Sequence, residues 1–153
     1  NSTGSLAGVM VEPYQGAGGF IFPPTGWLKK LEEWIRARGL LFALDEVQSS
    51  YGRTGKMWAM EHEGVKPDIV AIGKAIGCGV PVSAIAATSD VFSCLGKGEF
   101  SSTIGVNPVS SDAVRDDSGR FERNTASPPA VVRWSSHCVK PGVIASLMRS
   151  LFQ

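Results

Sequence analysis

The chain has 153 residues, of which 43% are hydrophobic and 19% are charged, and its formal net charge is +1. This composition supports a globular domain with a buried core and excludes a wholly disordered chain. The near-neutral charge argues against nucleic acid or an anionic membrane surface as the main partner, because both usually require a basic excess. No apolar run approaches the length that spans a bilayer, so we expect no membrane partner.

The three cysteines, Cys78, Cys94 and Cys138, show neither the spacing of metal ligands nor a paired framework. We therefore expect free thiols in a reducing compartment, a cytoplasmic location and no metal site.

The first forty residues predict a strand, a loop and a helix, in that order. Residues 6–12 form a short, mostly apolar run that predicts a buried strand. A loop rich in glycine and proline covers residues 13–24, and Thr25 is a suitable N-cap for a helix over residues 26–38. Gly39 is a natural stop for that helix.

Further apolar runs at residues 40–44, 68–72 and 83–87 predict three more strands, and a shorter helical stretch is predicted over residues 57–63. Strands that alternate with helices indicate an α/β layer fold. Because the runs are continuously apolar, their strands are expected to be covered on both faces.

Side chains with useful chemistry stand at the ends of two of these runs. Asp45 ends one run, and Lys74 follows another by two residues. In open α/β sheets, ligands bind outside the carboxyl ends of the strands. A carboxylate and a lysine there could form a structural ion pair, hold a phosphate and a metal, or form a Schiff base with a carbonyl cofactor, and spacing alone leaves these open.

Six short motifs occur in a fixed order along residues 6–113. They are V-E-P-Y-Q-G at 11–16, L-D-E-V-Q at 44–48, G-R-T-G-K at 52–56, P-D-I-V at 67–70, G-K-A-I-G at 73–77 and S-T-I-G-V-N-P at 102–108. This series resembles the class III aminotransferases, the group that holds the ornithine, acetylornithine and 4-aminobutyrate enzymes. The resemblance implies fold type I, the aspartate aminotransferase-like fold, with a mostly parallel sheet and flanking helices. It also implies pyridoxal 5'-phosphate (PLP) as cofactor.

The resemblance implies a role for four residues. Lys74 matches the lysine that forms the Schiff base with the cofactor and later moves a proton, so it is the expected catalytic residue. Asp45 matches the aspartate that keeps the pyridine nitrogen protonated. Gln48 matches the residue near the phenolic oxygen, and Thr103 matches a threonine that reaches the cofactor phosphate of a neighbouring subunit.

These roles imply an enzyme that transfers an amino group from an amine or amino acid to an oxo acid, working as a homodimer. A racemase, aminomutase or decarboxylase on the same cofactor is an alternative, because the early chemical steps are shared. A non-catalytic remnant of the fold is another. Glu12 is expected to support the Asp45 region.

The sequence departs from the family in three respects. Ala17 stands where many members carry a glutamate, which argues against the ornithine and 4-aminobutyrate specificities. The family's phosphate loop and stacking aromatic ring are absent, so the chain alone is expected to bind the cofactor poorly and to be inactive. Residues 1–113 are thus interpreted as part of the cofactor-binding large domain, and residues 114–153 as an atypical tail, either disordered or a non-native reading frame.

Overall fold

A computed structural model describes residues 6–95 and the backbone of residues 131–134. The chain divides into two compact units, Asn1–Ala71 and Ile72–Gln153. Thr103 lies outside the described residues, as does the predicted tail apart from residues 131–134.

The first unit is built on parallel strands. Its regular elements are β1 (Gly8–Val11), α1 (Trp27–Arg36), β2 (Leu41–Asp45), a 3₁₀ turn (Ala59–His62) and β3 (Ile69–Ile72), whose last residue belongs to the second unit. Strand β2 pairs in parallel with β1, where Val11 faces Leu44, and with β3, where Asp45 faces Ala71. Parallel neighbours require a crossover connection, and α1 supplies it between β1 and β2 while packing against β2. These features confirm the predicted α/β fold and the first three strands.

The core of the first unit lies between α1 and the strands. Its fully buried side chains are Ile35 of α1, Phe42 and Leu44 of β2, Trp58, and Val70 of β3. Phe42 and Leu44 are buried while Ala43 and Asp45 are only partly so. Strand β2 therefore turns its two large apolar side chains to the better covered face, and Asp45 to the other.

The predicted N-cap at Thr25 is wrong. The residue that caps α1 is Gly26, which has a φ of 83° and offers no side-chain oxygen to the first turn. The carboxylate of Glu63 accepts hydrogen bonds from the N–H groups of Gly26, at 3.0 Å, and Lys29, at 2.9 Å. Glu63, although distant in sequence, thus caps the N-terminus of α1, and its negative charge interacts favourably with the positive end of the helix dipole.

The predicted helix over residues 57–63 is a single 3₁₀ turn, Ala59–His62. The N–H groups of Ala59 and Met60 donate to the buried carboxylate of Glu46. Because the Glu46 side chain satisfies these N–H groups, the short turn is stable without being part of a longer helix.

The second unit contains a 3₁₀ turn (Lys74–Gly77), β4 (Ala84–Ala87), α2 (Ser89–Ser93) and β5 (Val131–Trp134). The predicted strand over residues 83–87 is confirmed as β4, which pairs antiparallel with β5. Strand β5 and helix α2 were not predicted. No helix in residues 6–95 or 131–134 is long and apolar enough to cross a membrane.

Candidate functional site

Asp45 lies at the carboxyl end of β2, where the strand gives way to a turn. Its Oδ1 accepts a hydrogen bond of 3.0 Å from the N–H of Val47, which fixes the carboxylate relative to the following turn. The side chain is partly buried, and none of the described residues forms an ion pair with it. The carboxylate can therefore serve a cationic group that is not part of this segment of the chain.

Gln48 follows in the same turn, and its carboxamide lies directly against Gly16. A Cβ atom at Gly16 would come within 1.6 Å of the Gln48 Oε1 atom. Glu12, just beyond β1, accepts a 3.2 Å hydrogen bond from the N–H of Gly16 through its Oε2 atom. Glu12 thus acts on the loop that contacts Gln48.

Glu46 is a structural residue for which the sequence offered no signal except its place beside Asp45. Its side chain is fully buried, and it accepts hydrogen bonds from the Ser49 hydroxyl, from the Ala59 N–H at 3.2 Å and from the Met60 N–H at 2.8 Å. Burial raises the pKa of this carboxyl above its ordinary value, although the three hydrogen bonds oppose the shift. The buried carboxylate ties the turn that bears Gln48 to the 3₁₀ turn at Ala59–His62.

Lys74 begins the 3₁₀ turn of the second unit, and its side chain is exposed. Its φ of 48° lies in the left-handed region, which costs a residue with a Cβ about 1–2 kcal/mol. Cys78, which ends the turn, has a φ of 46°. Strained backbone of this kind is found preferentially at functional sites. No hydrogen bond or ion pair in the described part of the chain occupies the Lys74 amine.

The four predicted site residues are thus distributed as follows. Asp45 and Gln48 lie in one turn of the first unit, Lys74 lies in the second unit, and Thr103 is outside the described residues. Ala17, the position of the missing glutamate, is exposed in the loop after β1. Cys78 and Cys94 are both exposed, and neither forms a disulfide bond within the described residues.

The chain is similar to known proteins of one family. The sequence pattern of the family Aminotransferase class-III matches residues 1–117. Over 108 residues the chain is 48% identical to ornithine aminotransferase of Oceanobacillus iheyensis, covering 70% of this chain and 27% of that protein. It is also 48% identical over 108 residues to acetylornithine aminotransferase of Methanopyrus kandleri, covering 71% of this chain and 28% of that protein.

A solved structure of ornithine delta-aminotransferase from Plasmodium falciparum superposes with a TM-score of 0.68 at 40% identity. The superposition covers 72% of this chain and 29% of that one. The chain belongs to the class III aminotransferase family, and it spans about a quarter of the length of these relatives.

Class III aminotransferases depend in general on PLP. The side chains of three described residues have the functional groups that this cofactor requires. Asp45 offers a carboxylate without an ion-pair partner in the described segments, which suits a protonated ring nitrogen. Gln48 offers an amide donor for an anionic oxygen. Lys74 offers an amine for an aldehyde.

Proposed function

We propose that the whole enzyme transfers an amino group from an amine or amino acid to an oxo acid, and that this chain contributes Lys74 as its catalytic residue and Asp45, Gln48 and Thr103 as further contacts to PLP. The observation that carries the proposal is that Lys74 combines a strained, left-handed backbone with an exposed side chain, two residues after the end of β3. When bound, the cofactor supplies an aldehyde that takes up the amino group and a ring that accepts electrons.

The left-handed backbone at Lys74 supports its role. Lys74 directly follows Gly73 and opens a four-residue 3₁₀ turn, so its side chain leaves the chain from a short, hydrogen-bonded segment. The Lys74 amine would hold the cofactor by condensing with its aldehyde, with loss of water. As a free amine, the same group would accept and donate the proton that moves during transfer.

Asp45 and Gln48 are proposed to bind two different polar groups of the cofactor ring. The Asp45 carboxylate holds a proton at the ring nitrogen, and its hydrogen bond from Val47 keeps it from turning away. The Gln48 amide N–H donates to the phenolic oxygen. A carboxylate at the ring nitrogen and an amide donor at the phenolic oxygen would together favour the electron-accepting form of the cofactor.

The remaining partners are also part of the proposal. The substrates are small amines or amino acids and oxo acids, and the protein forms a homodimer because Thr103 would act across a subunit boundary. We place the protein in the cytoplasm, in keeping with a sequence whose three cysteines show no paired framework. Nucleic acid and membrane are not among the proposed partners.

Reduction by borohydride tests the proposal directly. The protein expressed from its own gene is incubated with PLP, reduced and digested, and the labelled peptides are identified by mass spectrometry. We expect the label on Lys74, and its loss in Lys74→Arg, because a guanidinium does not form the link. Exposed Lys30 and Lys56 are internal controls for non-specific reaction.

Equal labelling of Lys30, Lys56 and Lys74 would mean that the chain is a non-catalytic remnant of the fold. Labelling confined to Lys74, but with turnover that does not depend on an oxo acid, would exclude amino transfer and leave a racemase, aminomutase or decarboxylase.

A further inference from the structure

The carboxamide of Gln48 occupies the space that a side chain at Gly16 would fill. A Cβ atom built on Gly16 would lie 1.6 Å from Oε1, 2.7 Å from Cδ and 3.3 Å from Nε2 of Gln48. Real Cβ atoms do not approach other atoms at the first two distances. The oxygen of the amide is therefore the atom nearest to Gly16, and the nitrogen, which is the hydrogen-bond donor, lies farther away.

Gly16 is itself held firmly. Its N–H donates to Glu12 at 3.2 Å, and its carbonyl accepts from the N–H of Phe20 at 3.2 Å. On either side of this turn, Gln15 and Ile21 exchange two backbone hydrogen bonds of 3.0 and 3.1 Å. The surface presented to Gln48 is thus a fixed piece of backbone and not a loop that can move aside.

The requirement for glycine at this position concerns space and not backbone conformation. Gly16 is absent from the glycines with positive φ, which include Gly19 three residues later. The backbone of Gly16 is thus not in the left-handed region that disfavours alanine, and the three atoms nearest to an added Cβ all belong to the Gln48 amide.

We propose that Gly16, fixed by Glu12, is a positioning residue that sets where the Gln48 amide nitrogen points. This inference rests on the proposed function, in which that nitrogen donates to the phenolic oxygen of PLP. In Gly16→Ala the flexible end of Gln48 must swing away from the new methyl group, and the donor leaves its place. The loss of one hydrogen bond to a charged oxygen weakens PLP binding by roughly 10-fold.

A double-mutant cycle tests this positioning role on the protein expressed from its own gene. The variants are Gly16→Ala, Gln48→Ala, the two combined, and Gly18→Ala as a matched control. Gly18 lies in the same loop and is exposed, and a Cβ there would approach Gln15 Oε1 only to 3.0 Å. The dissociation constant for PLP and the pH at which the visible absorbance of bound PLP titrates are measured for each.

We expect Gly16→Ala and Gln48→Ala each to weaken PLP binding roughly 10-fold and to raise the pH midpoint, because the phenolate loses its donor. The combined variant should be no weaker than Gln48→Ala alone, and Gly18→Ala should match the wild type. Independent, multiplying effects of the two substitutions would overturn the proposal, as would wild-type binding by Gly16→Ala.

Melting temperatures without cofactor separate this inference from the proposed function. Gly16→Ala should lower the melting temperature in the wild-type background and have a smaller effect in the Gln48→Ala background, whether or not PLP binds. If Lys74 is labelled but this coupling is absent, the positioning role is wrong and the function stands. If the coupling is present but Lys74 is not labelled, the contact is real and the function is wrong.

Discussion

The buried carboxylate of Glu46 offers the sharpest test of how the turn that bears Asp45 and Gln48 is held. In Glu46→Ala the N–H groups of Ala59 and Met60 lose their acceptor inside the protein, and these backbone donors cannot rotate to find another. Each buried donor left without an acceptor costs about 1–3 kcal/mol, so the free energy of unfolding should fall by about 2–6 kcal/mol. That is a large fraction of the stability of a typical domain, about 5–15 kcal/mol.

Glu46→Gln is the milder version of the same change. One amide oxygen remains as an acceptor, but the NH₂ group must face a donor on the other side. We expect a loss of about 1–3 kcal/mol, reduced by the smaller cost of burying a neutral group. Glu61→Gln is the matched control, because it removes the same charge nearby without breaking the contacts of Glu46.

Urea unfolding followed by circular dichroism measures all three variants. The expected order of destabilisation is Glu46→Ala, then Glu46→Gln, then Glu61→Gln, the last within about 0.5 kcal/mol of the wild type. If Glu46→Ala also stays within about 0.5 kcal/mol of the wild type, the carboxylate does not organise this region and our reasoning is refuted.

Glu46 should also make the free energy of unfolding depend on pH. Burial raises its pKa in the folded protein above the ordinary value of 4.5, so between the two values the folded state binds more protons than the unfolded state. The contribution of Glu46 to stability is therefore complete below pH 4.5 and is lost as the pH rises through the folded pKa. Glu46→Gln should remove this decline, and a decline of the same slope in that variant would assign it to another group.

Two further predictions concern contacts that join distant parts of the first unit. Glu63→Ala should lower the free energy of unfolding by about 0.5–2 kcal/mol, because the first turn of α1 loses its acceptor, whereas Glu33→Ala on the exposed face of the helix should change it by less than about 0.5 kcal/mol. Equal effects in urea unfolding would contradict the capping role. Asp68→Ala should cost about 1–3 kcal/mol, because the Phe42 N–H loses an acceptor at 2.7 Å and the Arg36 guanidinium loses its partner. Arg36→Ala should lower the free energy of unfolding by less than Asp68→Ala does, since the Arg36 side chain is 42% exposed. A larger loss in Arg36→Ala than in Asp68→Ala would mean that the ion pair contributes more than the hydrogen bond from the Phe42 N–H.

Local pattern was sufficient for the strands and for the main helix. Strands β1, β3 and β4 each lie within a predicted apolar run, and β2 extends one residue beyond its run, to Asp45. Burial alternates along β2 and β3, so the expected cover on both faces is not seen there in the described residues. The helix α1 lies within its predicted range because its apolar residues repeat at helical spacing. The unpredicted strand β5 has only four residues, Val131–Trp134, and it lies in a stretch rich in serine, arginine and proline, so its short apolar run was not recognised.

The motifs of the sequence were enough to identify the family and the chemical types of the site residues, because residue type and order along the chain carry that information. What holds these residues in place became visible in the folded chain: the cap that Glu63 provides to α1, the N–H donors bound by Glu46, and the Gly16 backbone against the Gln48 amide. These contacts join residues far apart in the chain, and a single sequence contains no periodicity from which such pairs can be read.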